Sequence, residues 1–196
     1  MFPGVDEEMS IVTQDNNDRV MIFVDIRNVI AGCRETANTD RIEYGVMAEY
    51  LARGRRVTGG YIFDGNQSKQ LHRILSYQGF RVVVRDSMDH DEKVQKEVDV
   101  ALATELIRQA MADAFDVAIV VSGDRDFLPA IELVQSLGKR VEVASYEVCM
   151  SKHMLRGCDG FVYLDSLPIV LLGSEQETED EENCGPAGET TEAEAF

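Results

Sequence analysis

Four aspartates stand where chemistry could be done. Asp124 and Asp126 lie in the run Ser122-Gly123-Asp124-Arg125-Asp126-Phe127, directly after the apolar segment Val117–Val121. Side chains alternate along extended backbone, so the spacing predicts that Asp124 and Asp126 point one way and Arg125 another. Asp25 ends a second apolar run, Met21–Val24, and Asn28 follows three residues on. Asp99 falls in a helical pattern, with Leu102, Ala103 and Leu106 at i+3, i+4 and i+7. An ionised carboxylate on an apolar stripe is costly unless it is paired or binds a metal. Plainer roles compete: Asp is a good helix N-cap, and Asp99 could sit in a first helical turn beside Lys96, favoured by the helix dipole.

Charge repulsion weighs against a purely structural cluster. Carboxylates about 5 Å apart at an effective dielectric of 20 repel by roughly 3 kcal/mol per pair. Protons or cations must then neutralise them. No Cys or His stands at metal-ligand spacing to these acids, and all-oxygen ligands select hard cations, Mg²⁺ or Mn²⁺. Such ions among carboxylates suit phosphodiester hydrolysis.

The elements that must position these residues alternate. Strands are predicted at Met21–Val24, Val57–Phe63, Phe80–Val84, Val117–Val121, Arg140–Ser145 and Phe161–Leu164. Helices are predicted at Glu43–Arg53, Ser68–Gln78, Lys93–Ala112, Phe127–Leu137 and Met150–Leu155, with a polar loop at Asp86–Glu92. Alternation of this kind implies right-handed crossovers and a mainly parallel sheet covered on both faces, a three-layer α/β/α sandwich. Ligands of open parallel sheets bind outside the carboxyl ends of the strands. Asp25 and the Ser122–Phe127 run both fall there.

Composition divides the chain into three parts. The net charge is −17, from 36 acids and 19 bases. Residues 1–18 carry five acids and residues 174–196 nine, neither with a Lys or Arg, which leaves residues 19–173 near −3. The expected organisation is an acidic extension (1–18), one α/β domain (19–173) and an acidic, disordered tail (174–196). A near-neutral body permits a nucleic-acid partner but argues against binding driven by charge alone. No apolar run is long enough to span a bilayer and no signal peptide is visible, so a cytoplasmic protein is expected. Cys33, Cys149, Cys158 and Cys184 form no CxxC pair and read as reduced thiols.

The strand-end run Ser122–Phe127, the helix Val98-Asp99-Val100-Ala101-Leu102-Ala103-Thr104 and the Asp25…Asn28 pair together resemble the NYN domain, LabA-like branch, of the PIN-like nuclease superfamily. The resemblance covers about residues 20–165. It implies a PIN-like sandwich with strand order 3-2-1-4-5, Mg²⁺ or Mn²⁺, and cleavage of single-stranded or structured RNA. Residue by residue it implies metal ligation and catalysis by Asp25, Asp99, Asp124 and Asp126. Asn28 and Ser122 would support substrate geometry, and Lys96 would stand near the phosphates. Arg125, which alternation turns away from the acids and which has no lone pair to donate, is expected at the rim as a contact to phosphate and not as a metal ligand. Where the family has a small residue after the first Asp, this chain has Ile26-Arg27. A Toprim domain also places a DxD at a strand end, but it needs a Glu where this chain has Asp25. A haloacid-dehalogenase phosphatase needs a second Asp that Asp25-Ile26-Arg27-Asn28 lacks. A non-catalytic RNA- or protein-binding domain of the same fold is the other reading, and a homo-oligomer is compatible with the sequence.

Overall fold

Five consecutive buried residues, Val20–Val24, run through the middle of the first strand, β1 (Arg19–Asp25). A strand buried on both faces needs a helical layer on each side. The computed structural model describes residues 16–65, 69–85 and 91–169. In it β1 lies at the centre of a six-stranded sheet of order β3-β2-β1-β4-β5-β6. The other strands are β2 (Arg56–Asp64), β3 (Arg81–Val84), β4 (Val117–Val121), β5 (Arg140–Ser145) and β6 (Gly160–Tyr163). Every neighbouring pair is parallel. All six strands therefore finish on one edge. The five-strand order expected from the resemblance holds, and β6 extends it beside β5.

One face carries α1 (Ile26–Ala37), α2 (Tyr44–Ala52) and α3 (Lys69–Tyr77). They bury Val29, Cys33, Met47, Leu51 and Leu75 against Ile22, Val24 and Ile62. The other face carries α4 (Asp91–Met111), α5 (Leu128–Ser136) and α6 (Lys152–Gly157). These bury Val98, Leu102, Leu106, Ile131 and Met154 against Phe23, Phe63, Val120 and Val143. Successive strand residues face opposite layers, so Asp25 and Ser122 share the side of Phe23 and Val120, the α4 side.

Several boundaries differ from expectation, each for a local reason. Helix α1 was not anticipated, although Ile26, Val29, Ile30 and Cys33 have helical spacing and are buried. The long helix starts at Asp91, so the end of the expected polar loop is helical, and residues 86–90 lie outside the described residues. The helix expected at Phe127 is preceded by a single 3₁₀ turn, Arg125–Phe127, and Pro129 occupies its first turn, where a missing N–H costs nothing. The expected Met150–Leu155 helix is shifted two residues on, as α6, where Ser151 caps it, and a 3₁₀ turn, Glu147–Cys149, precedes it. Asp18, assigned to the acidic extension, pairs with Arg140 and belongs to the body. Residues 1–15 and 170–196 lie outside the described residues, and with them nearly all of both acidic segments. Among the described residues no helix is long and apolar enough to cross a membrane, and Cys33, Cys149 and Cys158 are free.

Candidate active site

Asp25 is the last residue of β1 and the N-cap of α1. Its Oδ1 accepts the backbone N–H of Asn28 at 3.3 Å and its Oδ2 the hydroxyl of Ser122 at 3.2 Å. Only 2% of the residue is exposed. Burial raises its pKa, the Asn28 N–H opposes the rise, and the charge of Asp99 adds to it; the result is about 6 instead of 3.8. The capping role is real, yet a cap alone does not require a buried carboxylate at the sheet's centre.

Ser122 joins the two strand ends. Besides donating to Asp25, its Oγ accepts the backbone N–H of Asp124 at 3.3 Å. Asp124 remains extended (φ −77°, ψ 122°) and its Oδ1 accepts the N–H of Asp126 at 3.0 Å, closing the 3₁₀ turn. Strand alternation thus stops at Asp124. Asp126 is positioned by the turn and not by the strand, and both it and Arg125 are exposed. Asn28 Oδ1 accepts from the Gly123 N–H and the Ser145 hydroxyl, each at 3.1 Å, which clasps the ends of β1, β4 and β5. Both donors bind the oxygen, so the amide's NH₂ is left facing the cleft that Asn28 lines with Asp124 and Arg125.

Asp99 lies eight residues beyond Asp91, in the third turn of α4. A first-turn, dipole-stabilised Asp paired with Lys96 is therefore not what the structure holds. Its Oδ1 accepts from Gln95 Nε2 at 2.7 Å, and Gln95 Oε1 accepts from Arg27 Nη1 at 3.2 Å. Asp99 is half-buried at the margin of the Val98–Leu102–Leu106 stripe. Its pKa is raised, chiefly by burial; Gln95 opposes this, Asp124 and Asp126 add to it, and Arg27 lowers it. Asp99 is thus the electrostatic link, felt by Asp25 and itself feeling Asp124 and Asp126. Among the described residues, however, no three Asp, Glu, His or Cys groups are gathered tightly enough to hold an ion between them. This spread suits a hydrated hard cation, which Mg²⁺ typifies: it keeps several waters and takes one or two carboxylates plus substrate phosphate.

The NYN domain profile matches residues 19–165, three quarters of the chain. The chain belongs to the NYN domain family. That places it in the PIN-like nuclease superfamily, in agreement with the sheet order. Its structure resembles a protein of unknown function from Vibrio parahaemolyticus, with TM-score 0.67 and 26% identity, over 79% of this chain and 98% of the other. A glycotransferase of kitacinnamycin overlaps at TM-score 0.35 and 19% identity, over 66% of this chain and 30% of its own; nothing rests on it. No curated protein sequence matches the chain.

In this NYN domain several basic residues at the amino ends of the strands are paired: Arg19 with Asp113 and Asp116, Lys139 with Asp113, Arg140 with Asp18, and Arg55 with Glu142 at 2.6 Å. Arg56 and Arg81, which open β2 and β3, have no carboxylate at ion-pair distance among the described residues, and Arg81 donates to the Tyr61 hydroxyl. Around the carboxyl ends stand Arg27, Arg85, Lys96, Arg125 and Lys152. Among the described residues none of these five has a carboxylate at ion-pair distance. Unneutralised cations around an acidic centre suit a polyanion crossing that edge.

The structure brings Asp25, Asn28, Ser122 and Asp124 together through hydrogen bonds and sets Asp99 and Asp126 within electrostatic reach. Lys96, three residues from Asp99, instead opens on a separate groove on the other flank of α4. The sequence reading missed Arg27 and Gln95, which orient Asp99, and Ser145, which holds Asn28. It also missed Asp64 at the end of β2, buried and 2.5 Å from His72 Nε2. Polar residues at the end of each strand were the available signal for Asp64 and Ser145.

Gly123 is fixed by close approach. A Cβ there would lie 2.1 Å from the carbonyl oxygen of Cys149 and 2.8 Å from Met150 Cα, both backbone. The Ser151 N–H meanwhile donates to Gly123 O at 3.0 Å. Gly123→Ala should displace the Glu147–Ser151 segment from Asn28 and Asp124 and lower stability by about 1–3 kcal/mol, the usual cost of overpacking. Urea unfolding checks it; an unchanged midpoint would mean the segment yields freely.

Proposed function

We propose that the chain is a divalent-metal-dependent ribonuclease of the LabA-like branch, hydrolysing RNA phosphodiester bonds at Asp25, Asp99, Asp124 and Asp126. One observation carries the reading. A carboxylate of raised pKa is buried at the carboxyl edge near three other acids, with Arg27 and Arg125 on the same side of α4 and no carboxylate paired to either among the described residues. Such an arrangement is costly to the fold and has a use if a cation joins it.

Mg²⁺ or Mn²⁺, when bound, would polarise the phosphate and lower the pKa of a water. One or two of the four carboxylates would hold the ion directly and the others through its waters, Asp25 and Asp99 on the strand and helix side and Asp124 and Asp126 on the loop side. Ser122 links the Asp25 carboxylate to the Asp124 backbone, and Gln95 holds Asp99. The NH₂ of Asn28, the guanidinium of Arg125 and the donors of Arg27 not bound to Gln95 would meet phosphate oxygens. Lys96 would meet a neighbouring phosphate. A cytoplasmic home belongs to this reading, and the free cysteines accord with a reducing compartment.

The open spacing of the acids favours one rival, a domain that binds RNA or a protein without cutting. Incubating labelled single-stranded RNA with the protein in Mn²⁺, in EDTA, and with Asp124→Asn separates them. Cleavage confined to the parent with Mn²⁺ supports hydrolysis; no cleavage in any arm leaves the binding role.

Arg125→Ala tests these cations at the one that directly follows Asp124. It should weaken RNA binding by about twofold to fivefold and reduce the slope of log affinity against log salt by about one. Metal affinity should hold, since a guanidinium has no lone pair to donate. Calorimetric Mn²⁺ titration showing a large loss would overturn this assignment.

A further inference from the structure

We propose that the groove between β3 and α4 receives one unpaired base of the RNA strand, so that the substrate is single-stranded on this side of the acids. The inference rests on RNA as the substrate class and adds where the strand runs.

The groove follows from the topology. Strand β3 is the sheet's edge, only four residues long, and the core of α4 packs over β1 and β2. An apolar strip is left open, with a volume of about 600 Å³. Its floor is Phe63, Val83 and Ala101, and Val100 stands at its wall, 65% exposed. A β-branched residue that exposed on a long helix gains nothing from the monomer's own packing.

The two ends of the groove differ in charge. At the carboxyl end lie Arg85 and Lys96, without a carboxylate partner among the described residues. At the other end Glu105 is held by Arg108 at 2.5 Å and by Gln109 at 2.7 Å, and its pKa is driven down to about 2, chiefly by Arg108. Glu97 lies along the same wall and makes the groove less cationic than its ends suggest. A phosphate is thus welcome only at the Arg85–Lys96 end, while the floor suits a flat apolar face. A base lying inward with its phosphate at Arg85 and Lys96 satisfies both. Lys96 and Asp99 are one helical turn apart, about 5–6 Å between Cβ atoms. The next phosphate along the strand then falls on the Asp99 side of α4, toward Asp25. A paired base cannot enter, because its partner strand would collide with α4. An apolar peptide would fill the floor but leave the two cations unanswered.

The test uses fluorescence anisotropy in EDTA with a labelled single strand of about ten nucleotides, a length typical of such sites. Val100→Glu places charge in the groove; Leu133→Glu places the same charge on α5, at a residue 45% exposed and outside the groove. Both positions are exposed and Glu is a good helix former, so both variants should fold. Relative to Leu133→Glu, Val100→Glu should lose at least about tenfold in affinity, the scale of one lost stacking contact. Val100→Tyr should gain roughly threefold or more by stacking. A hairpin with the same sequence fully paired should bind the parent about tenfold more weakly and respond to neither change, since it loses that same contact. Equal affinities for the two Glu variants would overturn the groove while leaving Mn²⁺-dependent cleavage standing. Loss of binding confined to Val100→Glu in a protein that never cleaves RNA would keep the groove and remove hydrolysis. A parent that binds no single strand would overturn the groove outright.

Discussion

Asp25→Asn is expected to stabilise the metal-free protein at pH 7 by about 2 kcal/mol while lowering Mn²⁺-dependent RNA cleavage more than about 100-fold. The stability gain follows from the carboxylate's surroundings. Its pKa is raised from the ordinary 3.8 to about 6, first by burial, against the Asn28 N–H, and further by Asp99. Each unit corresponds to about 1.4 kcal/mol, so the ionised form costs the fold on the order of 3 kcal/mol. Because the folded value lies above the unfolded one, the native state binds more protons between about pH 4 and pH 6. Parent stability should therefore fall as pH rises through that window and level off above it. Asn removes the charge and still caps α1, since Asn and Asp cap equally well. It offers one oxygen where Asp offers two, so Ser122 loses an acceptor, at a cost of about 1 kcal/mol. The variant's advantage should be complete by pH 7, vanish between about pH 4 and pH 5, and turn into a deficit of up to about 1 kcal/mol at lower pH, where only the lost Ser122 acceptor remains. The cleavage loss rests on Asp25 being a ligand: changes to residues that merely support a ligand cost about 10–100-fold, and a ligand itself more. Metal affinity of the parent should rise with pH through about 6, as a proton must leave Asp25. Urea melts of both proteins from pH 4 to pH 8 in EDTA decide the matter. Parallel curves would show that Asp25 is not the strained group described.

The reason the sheet was legible from sequence lies in the runs Val20–Val24 and Val117–Val121. Strands buried on both faces are apolar throughout, and each ends at a polar residue that marks the carboxyl edge. Placing Asp25 and the Asp124 loop on that edge required β1 and β4 to be neighbours, as they are. Helix α1 is hard to read from sequence because its cap and first turn, Asp25 and Asn28, carry the residue types of a site. The same Asp25 that looks catalytic is also the N-cap from which Ile26, Val29, Ile30 and Cys33 begin their helical repeat. Strand alternation holds only to Asp124 and not to Asp126: a carboxylate able to cap the N–H two residues on ends the strand itself, and Asp124 does so. Lys96 shows a different limit. Spacing puts it one turn from Asp99, but which flank of α4 each meets depends on how the helix is rotated over β1 and β2, and two residues three apart can straddle it. Gln95, Arg27 and Ser145 were invisible because their value is to hold other side chains, which only contacts reveal.

Asp99→Asn should likewise abolish metal-dependent cleavage, by more than about 100-fold, and should raise the melting temperature of the metal-free protein at pH 7. The isosteric amide keeps an oxygen for Gln95 Nε2, now 2.7 Å from Asp99 Oδ1. What it removes is a half-buried charge that burial, Asp124 and Asp126 oppose more strongly than Gln95 and Arg27 favour it. The raised pKa means that the native state again binds more protons than the unfolded chain just above the ordinary carboxylate range. The variant's advantage should thus appear as pH rises out of that range and be absent below it. Mg²⁺ reverses the ranking. It binds only the native parent, stabilises it by mass action, and should shift the variant much less. Thermal melts of both proteins in EDTA and then in millimolar Mg²⁺ read each half. An apo variant that melts lower than the parent, with Mg²⁺ shifting neither, would make Asp99 an ordinary polar residue of α4 and leave the proposed site with three acids. The double variant carries the sharper information. Asp25 and Asp99 repel each other, so each single substitution relieves the same repulsion, and their gains cannot simply add. A double variant stabilised by less than the combined single gains is the signature of two carboxylates forced together without their cation. Strict additivity would mean that the two acids sit in separate environments and do not share an ion.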